Sequence, residues 1–250
     1  DDLLFREPMR ADLSALRGWF AGKRVMITGA GGSIGSEISR QVAACGPGTL
    51  VLFEKHEASL YEIDRALRKE AHVEALESVI GDIADAQRVN DVIARFRPEV
   101  IFHAAAYKHV PMMERNPREA YKTNVLGTRT VAEAAARHLV GVFVLISTDK
   151  AVEPVSVMGA TKRLAELTLR GMQGRGDTRF LAVRFGNVLE SSGSVVPLFR
   201  EQIENGGPVT VTHADATRFF MTIPEAVQLI LEAAPMGKGG PWIREGLWQP

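Results

Sequence analysis

The stretch Thr28-Gly29-Ala30-Gly31-Gly32-Ser33-Ile34-Gly35 constrains this chain most. It follows a short apolar, β-rich run, Arg24–Thr28 (RVMIT). It opens a segment of helical spacing, Ser33–Ala44, which Gly46-Pro47-Gly48 ends. Glycines at 29, 32 and 35 give G-x-x-G-x-x-G. Gly29 permits the tight turn, Gly32 lets the backbone approach a pyrophosphate, and Gly35 lets helix and strand pack closely. The amides of Ser33 and Ile34 then open a helix whose positive dipole end favours an anion. A glycine-rich turn with no ligand has the same composition. The strand before it and the helix after it point to a dinucleotide site.

The rest of the chain repeats that rhythm. Thr49–Glu54, Leu76–Ile80, Glu99–Ala104, Val142–Ser147 and Arg179–Arg184 read as strands. Between them Ala58–Lys69, Ala86–Phe96, Pro117–His138 and Val155–Gly171 read as helices. Strands separated by helices of this length form right-handed βαβ units, and runs such as VFVLI, apolar on both faces, fit a sheet covered on both sides. The expected class is α/β, a Rossmann-like doubly wound parallel sheet over residues 23–186, binding NAD. Residues 1–22 read as an amphipathic lead-in, with Leu3, Leu4, Phe5, Leu13, Leu16, Trp19 and Phe20 apolar and Pro8 a helix breaker. From Gly186 the rhythm changes, so residues 187–250 are expected to form a small substrate-binding subdomain, partial in this sequence. Gly237–Pro250 has no periodicity, and no element is assigned to it.

Composition narrows the class. With 46% hydrophobic residues and 24% charged ones, the chain is not a disordered tail. Thirty basic and thirty acidic residues leave no basic excess, so nucleic acid is not the expected partner. A single cysteine, Cys45, excludes an internal disulfide or a thiolate metal cage, and no metal site is expected. No apolar run reaches the roughly 18–20 residues that span a bilayer. The start at Asp1-Asp2 reads as that of a piece of a longer chain.

Several polar residues fall where ligands of open α/β sheets bind, beyond the carboxyl ends of the strands. Glu54 ends the second strand, where an acid accepts from ribose hydroxyls and repels a 2′-phosphate; this favours NAD over NADP, although Lys55 and His56 follow directly and would act the other way. Asp82 and Ile83 follow the third strand, at the adenine edge; Asp82 is also a candidate N-cap for Ala86–Phe96. Ser147-Thr148-Asp149-Lys150 ends the fifth strand, as a reactive cluster or a plain surface turn. Met158 and Lys162 lie four apart on one helix face, which aims Lys162 at the same mouth; a helical Met is ordinarily core.

Taken together, TGAGGSIGSE, GDIAD, HAAAYKHVP, TNVLGT, STDKAVEPVSVMGATKR and RFGNVLESSGSVVPLF resemble the CapD-like nucleotide-sugar 4,6-dehydratases of bacterial surface-glycan pathways, within the extended short-chain dehydrogenases/reductases. The resemblance runs from about Leu3 to Gly240. Met158 stands where the superfamily has its tyrosine base, which resembles the long, membrane-anchored subgroup acting on UDP-N-acetylglucosamine. The resemblance implies an internal redox reaction through bound NAD: C4 of the sugar is oxidised, water leaves across C5 and C6, and hydride returns to C6. The product is a UDP-4-keto-6-deoxy-N-acetylhexosamine.

It also implies residue roles. Lys150, with a lowered pKa, is the base at C5; Asp149, with a raised one, is the acid toward the C6 hydroxyl. Thr148 bonds the 4-oxygen and Lys162 holds the nicotinamide ribose. His103, Ala104, Ala105 and Ala106 line the cofactor. Lys108 is a substrate-side cation, and Asn124 bridges backbone groups within its own helix. Asn187, Ser194 and Val195, with the loop Ser191-Ser192-Gly193, meet the UDP phosphates, and Arg200 and Arg218 add charge there. A cytoplasmic homo-oligomer is implied, with a membrane tether only in a longer parent chain. A 4-epimerase or reductase of the same fold and an inactive NAD-binding protein are the alternatives; the missing tyrosine counts against the first, and the retained Thr148, Asp149 and Lys150 against the second.

Overall fold

A computed structural model describes residues 13–70, 73, 75–189, 195–211, 213, 220–236 and 243–245. Its centre is a seven-stranded sheet, parallel throughout. The strands are β1 (Arg24–Thr28), β2 (Thr49–Glu54), β3 (Leu76–Ile80), β4 (Val100–His103), β5 (Val142–Thr148), β6 (Arg179–Phe185) and, numbered last along the chain, β9 (Ile243–Glu245). Their order is β3-β2-β1-β4-β5-β6-β9. It reverses between β1 and β4, and the crevice beyond their carboxyl ends is where such sheets take ligands. A separate two-stranded ladder joins β7 (Asn187–Val188) to β8 (Phe220–Met221).

The strands alternate their side chains between two cores. On one face Val25, Ile27, Leu52, Phe102 and Val144 meet α1 (Leu13–Phe20), α2 (Ser33–Ala44), α3 (Glu57–Glu70) and α10 (Ile223–Met236). On the other, Met26, Phe53, Ile101, Phe143 and Leu145 meet α4 (Ala86–Phe96), α7 (Thr128–Arg137) and α8 (Val157–Met172). Burial on both faces is why these strands read as unbroken apolar runs. Short helices α5 (Val110–Arg115) and α6 (Pro117–Tyr121) lead through a π-helical turn, Lys122–Gly127, into α7, and α9 (Val195–Glu204) lies between β7 and β8 in the chain. The expected Pro117–His138 helix therefore contains a widened turn. No helix among the described residues is long and apolar enough to cross a membrane.

Three expectations are revised. The lead-in is not separate from residues 23–186, because from α1 onward Leu16 and Phe20 enter the first core and Phe20 stacks obliquely on Phe102. Ile243–Glu245, left unassigned, pairs with Ala182–Arg184 and extends the main sheet. Residues 187–250 are also not all apart from the cofactor domain, since Val227, Ile230, Leu231 and Ala234 of α10 belong to the first core. Ser194 and Arg218 lie outside the described residues, as do Ser191-Ser192-Gly193 and the side chain of Val195.

Candidate active site at the strand ends

Two adjoining hollows of about 360 and 420 Å³ open beyond the carboxyl ends of the strands. They share Ile34, Ala104, Ala106, Tyr107, Lys108 and His109 and form one cleft. Its first half contains Gly29, Gly32, Ser33, Ile34, Gly35, Glu54, Asp82, Ile83, Ala104, Ala105 and Ala106 together. The glycines divide their work by steric need. Gly29 has φ +69°, and a Cβ there would meet the Ala105 amide nitrogen at 2.6 Å; a Cβ on Gly35 would collide with the Gly29 carbonyl oxygen. At Gly32 the same test meets only the Gly29 oxygen, at 3.4 Å, so internal packing does not demand a glycine there. What a bare backbone at Gly32 provides is access from the cleft. The N-cap of α2 is Gly32, which has no side chain to cap the helix, and the N-terminal end of α2 borders the cleft. These residues fit a dinucleotide pyrophosphate.

Glu54 is buried and fixed in place. Its Oε1 accepts from the amides of Lys55 (2.8 Å) and His56 (3.0 Å), and its Oε2 from the Gly31 amide (3.1 Å). Three of its roughly four lone-pair sites are thus used in tying the phosphate loop to β2, leaving about one for a ribose hydroxyl. Lys55 lines the same hollow, with its Nζ paired to Asp82 Oδ2 at 2.8 Å. That bond raises the Lys55 pKa. Burial acts to raise the Asp82 pKa, but the bonds from Lys55 and the Ala84 amide hold it below the usual carboxylate range. The N-cap of α4 is Asp85, whose Oδ1 accepts from the Arg88 amide at 3.0 Å, so the capping role considered for Asp82 belongs to its neighbour three residues on.

The second half of the cleft is lined by Thr148, Lys150, Met158, Lys162, Lys108 and Asn187. Asp149 is not among its lining residues, although it is bonded to two that are. Asp149 Oδ1 accepts from Thr148 Oγ1 (2.8 Å), from the Lys150 amide (2.8 Å) and from Lys150 Nζ (3.0 Å). Lys150 Nζ also donates to Asn187 Oδ1 at 3.1 Å. The Lys150 side chain is 38% exposed, so the cleft covers it only in part. Lys162 is buried and donates to the Ile146 carbonyl. Burial, offset in part by the Glu166 charge, pushes its pKa down to about 8. Met158, 4% exposed, packs in a small cluster with Met113 and Ala120, bordered by Tyr107. It is therefore both core and cleft wall. Burial lowers the pKa of Lys108, and burial with the Lys108 charge lowers that of His109. Arg200 is exposed on α9 and is not brought to the cleft.

Two neighbours of the site depart from expectation. His103 does not line the cleft; it is wholly buried between β1 and α7, with Nδ1 2.7 Å from Thr28 Oγ1 and Nε2 3.0 Å from Thr128 Oγ1. Asn124 does not bridge within its helix. Its Oδ1 accepts from the Tyr107 amide (2.8 Å), and its Nδ2 donates to the Tyr107 carbonyl and to Thr161 Oγ1 (both 3.0 Å). It holds the loop after β4 against α8 from within the π-helical turn, a kind of bulge that recurs at functional sites. The sequence reading also missed Tyr107 and His109 as cleft residues, and a buried cluster of Ser147, Glu166 and Arg184 beneath it. The signal for Glu166 was its place four residues after Lys162.

The strand order and the glycine loop at the switch point define a Rossmann-like, doubly wound α/β protein. The chain belongs to the polysaccharide biosynthesis protein family, whose model matches residues 25–243. It is similar to the capsular polysaccharide biosynthesis protein CapD of Staphylococcus aureus, at 50% identity over 96% of this chain. The chain spans about 40% of that relative's length. Among solved structures it resembles Pen from Bacillus thuringiensis, with TM-score 0.82, 37% identity and coverage of 88% of this chain and 70% of the other. The enzyme WbmH of Bordetella bronchiseptica, solved in complex with NAD⁺, is similar at TM-score 0.72 and 26% identity, covering 87% and 74%.

Proposed function

We propose that this chain is the catalytic domain of an NAD-dependent nucleotide-sugar 4,6-dehydratase acting on UDP-N-acetylglucosamine in surface-polysaccharide synthesis. The observation that carries it is the meeting of Thr148, Lys150 and Lys162 around one hollow, with Met158, a side chain that bears no exchangeable proton, in the same wall. Family membership and the NAD⁺ complex of WbmH support the setting and the cofactor. The pairing of Lys55 with Asp82 and the position of Glu54 support NAD over NADP. NAD, when bound, supplies a reversible hydride acceptor.

The chain's own groups do the rest. Gly29–Gly35 and the start of α2 hold the pyrophosphate. Lys162, fixed on the Ile146 carbonyl, faces the ribose and adds positive charge. Thr148 directs a hydroxyl at the sugar 4-oxygen. Substrate entering between Lys150 and Asn187 breaks their 3.1 Å bond and desolvates Lys150, which loses its proton to solvent; the neutral amine then removes the C5 proton and later returns it to C5. Asp149, bonded behind Thr148, takes the 4-hydroxyl proton through the Thr148 hydroxyl and passes it back by the same route to the departing C6 hydroxyl. Lys108 and Asn187 meet the diphosphate, together with Ser194, Val195 and Arg218; Arg200 reaches the diphosphate only if α9 moves toward the cleft. Residues 187–250 contribute the substrate side of the cleft, and the protein works as a homo-oligomer at the cytoplasmic side of a membrane.

Incubation with UDP-N-acetylglucosamine and NAD, read by mass spectrometry, tests the reading. A product lighter by one water supports it; an unchanged mass with inverted C4 means an epimerase, and no product means a binding protein. Lys150→Ala is expected to reduce turnover by roughly 10²–10⁴-fold. Full turnover in that variant would overturn the assignment of the base.

A further inference from the structure

The Glu166 carboxylate lies just under the cleft and is nearly sealed from solvent. It accepts from Ser147 Oγ (2.6 Å), Arg184 Nε (2.8 Å), Arg184 Nη2 (2.7 Å) and Arg163 Nη1 (3.2 Å). Ser147 and Arg184 are register partners on β5 and β6, so one carboxylate spans both strands from α8. One turn earlier on that helix, Lys162 holds the carbonyl of Ile146. Helix α8 thus grips two successive residues of β5, immediately before Thr148.

The charges around Lys162 make Glu166 more than a brace. His103 on β4 is neutral near pH 7, because burial and the Lys162 charge hold its pKa at about 3. Lys108 and His109 come from the loop after β4, and Lys150 is paired with Asp149 after β5. Glu114 of α5 accepts from the Val157 amide at the far start of α8. Arg184 and Arg163 are cations. Glu166 is the anion that offsets burial at Lys162.

We propose that Glu166 is a positioning residue of this cleft: its charge keeps Lys162 an ammonium on the Ile146 carbonyl, and its bonds to Ser147 and Arg184 fix the strand end that presents Thr148. The proposal concerns the chain's own cluster and is independent of which reaction the cleft performs.

Lysine ¹³Cε NMR of the purified chain tests it, with Lys162 assigned by the signal lost in Lys162→Arg. Wild-type Lys162 is expected to titrate near 8. In Glu166→Gln, which keeps an acceptor for Ser147, the titration should move down by about one pH unit or more. In Arg184→Gln, which removes a cation, it should move up by at least roughly half a unit. A purely structural brace would change the melting temperature without opposite movements. The proposal is overturned if either folded variant leaves the titration unmoved, or if both move it the same way. It is also overturned by the wild type alone if Lys162 titrates at or below about 6, the range of buried lysines without a compensating anion.

Discussion

His103 should make this protein acid-labile well above the range where carboxylates titrate. Thr128 Oγ1 gives its one proton to the Asn124 carbonyl at 2.7 Å, so it accepts from His103 Nε2–H. Nδ1 is then the acceptor for the Thr28 hydroxyl, and the neutral ring is satisfied at both nitrogens. A second ring proton would place a charge in a site with no solvent exposure, beside Lys162. Burial first, then that neighbouring charge, takes the pKa from 6.5 to about 3. The unfolded chain binds this proton below 6.5 and the folded chain does not, so stability is complete above pH 6.5 and is lost as pH falls toward 3. The loss amounts to about 2 kcal/mol by pH 5 and about 5 kcal/mol in full. Against a total of roughly 5–15 kcal/mol for a domain, even the first figure is large. Asp64, Asp82 and Glu166 have lowered pKa values and act only at lower pH, which leaves the window from pH 8 to 5 mainly to histidine. His109, more exposed, adds a smaller term of the same sign. Urea unfolding at pH 8, 7, 6 and 5 should show the decline, and His103→Gln, with a donor and an acceptor but no titration, should remove most of it. An undiminished decline in that variant, or a flat wild-type profile, would refute the argument.

The glycine loop offers a paired test. Gly35→Ala should cost about 2 kcal/mol or more in thermal unfolding, because the new Cβ overlaps the Gly29 oxygen; Gly32→Ala should melt near the wild type yet bind NAD at least roughly ten-fold more weakly. Equal stability of Gly35→Ala, or undiminished NAD binding by Gly32→Ala, would contradict the division of roles. Glu54→Ala should release the amides of Gly31, Lys55 and His56, weaken NAD binding and narrow the preference over NADP in competition titrations; an unchanged ratio would remove Glu54 from cofactor selection.

What the sequence determined was whatever local pattern and steric need decide. Runs such as VFVLI fit strands covered on both faces, and Gly35, at a strand-to-helix turn, has no room for a Cβ beside the Gly29 carbonyl six residues earlier. The cleft residues after β1, β2, β3 and β5 were legible because chain direction in a parallel sheet sends every such loop to one end. Tertiary structure decided the pairings between segments distant in sequence. Asp82, which a capping role at α4 would have occupied, is instead paired with Lys55 from the neighbouring strand end. His103 became a core link because Thr28 and Thr128 converge on it. Asn124 reached Tyr107 because the helix widens there, and Ile243–Glu245 became a strand because β6 offered it an open edge. The Glu166 cluster draws on β5, β6 and α8 together. Long-range hydrogen bonds and burial set these outcomes, and neither is a property of any short window of residues.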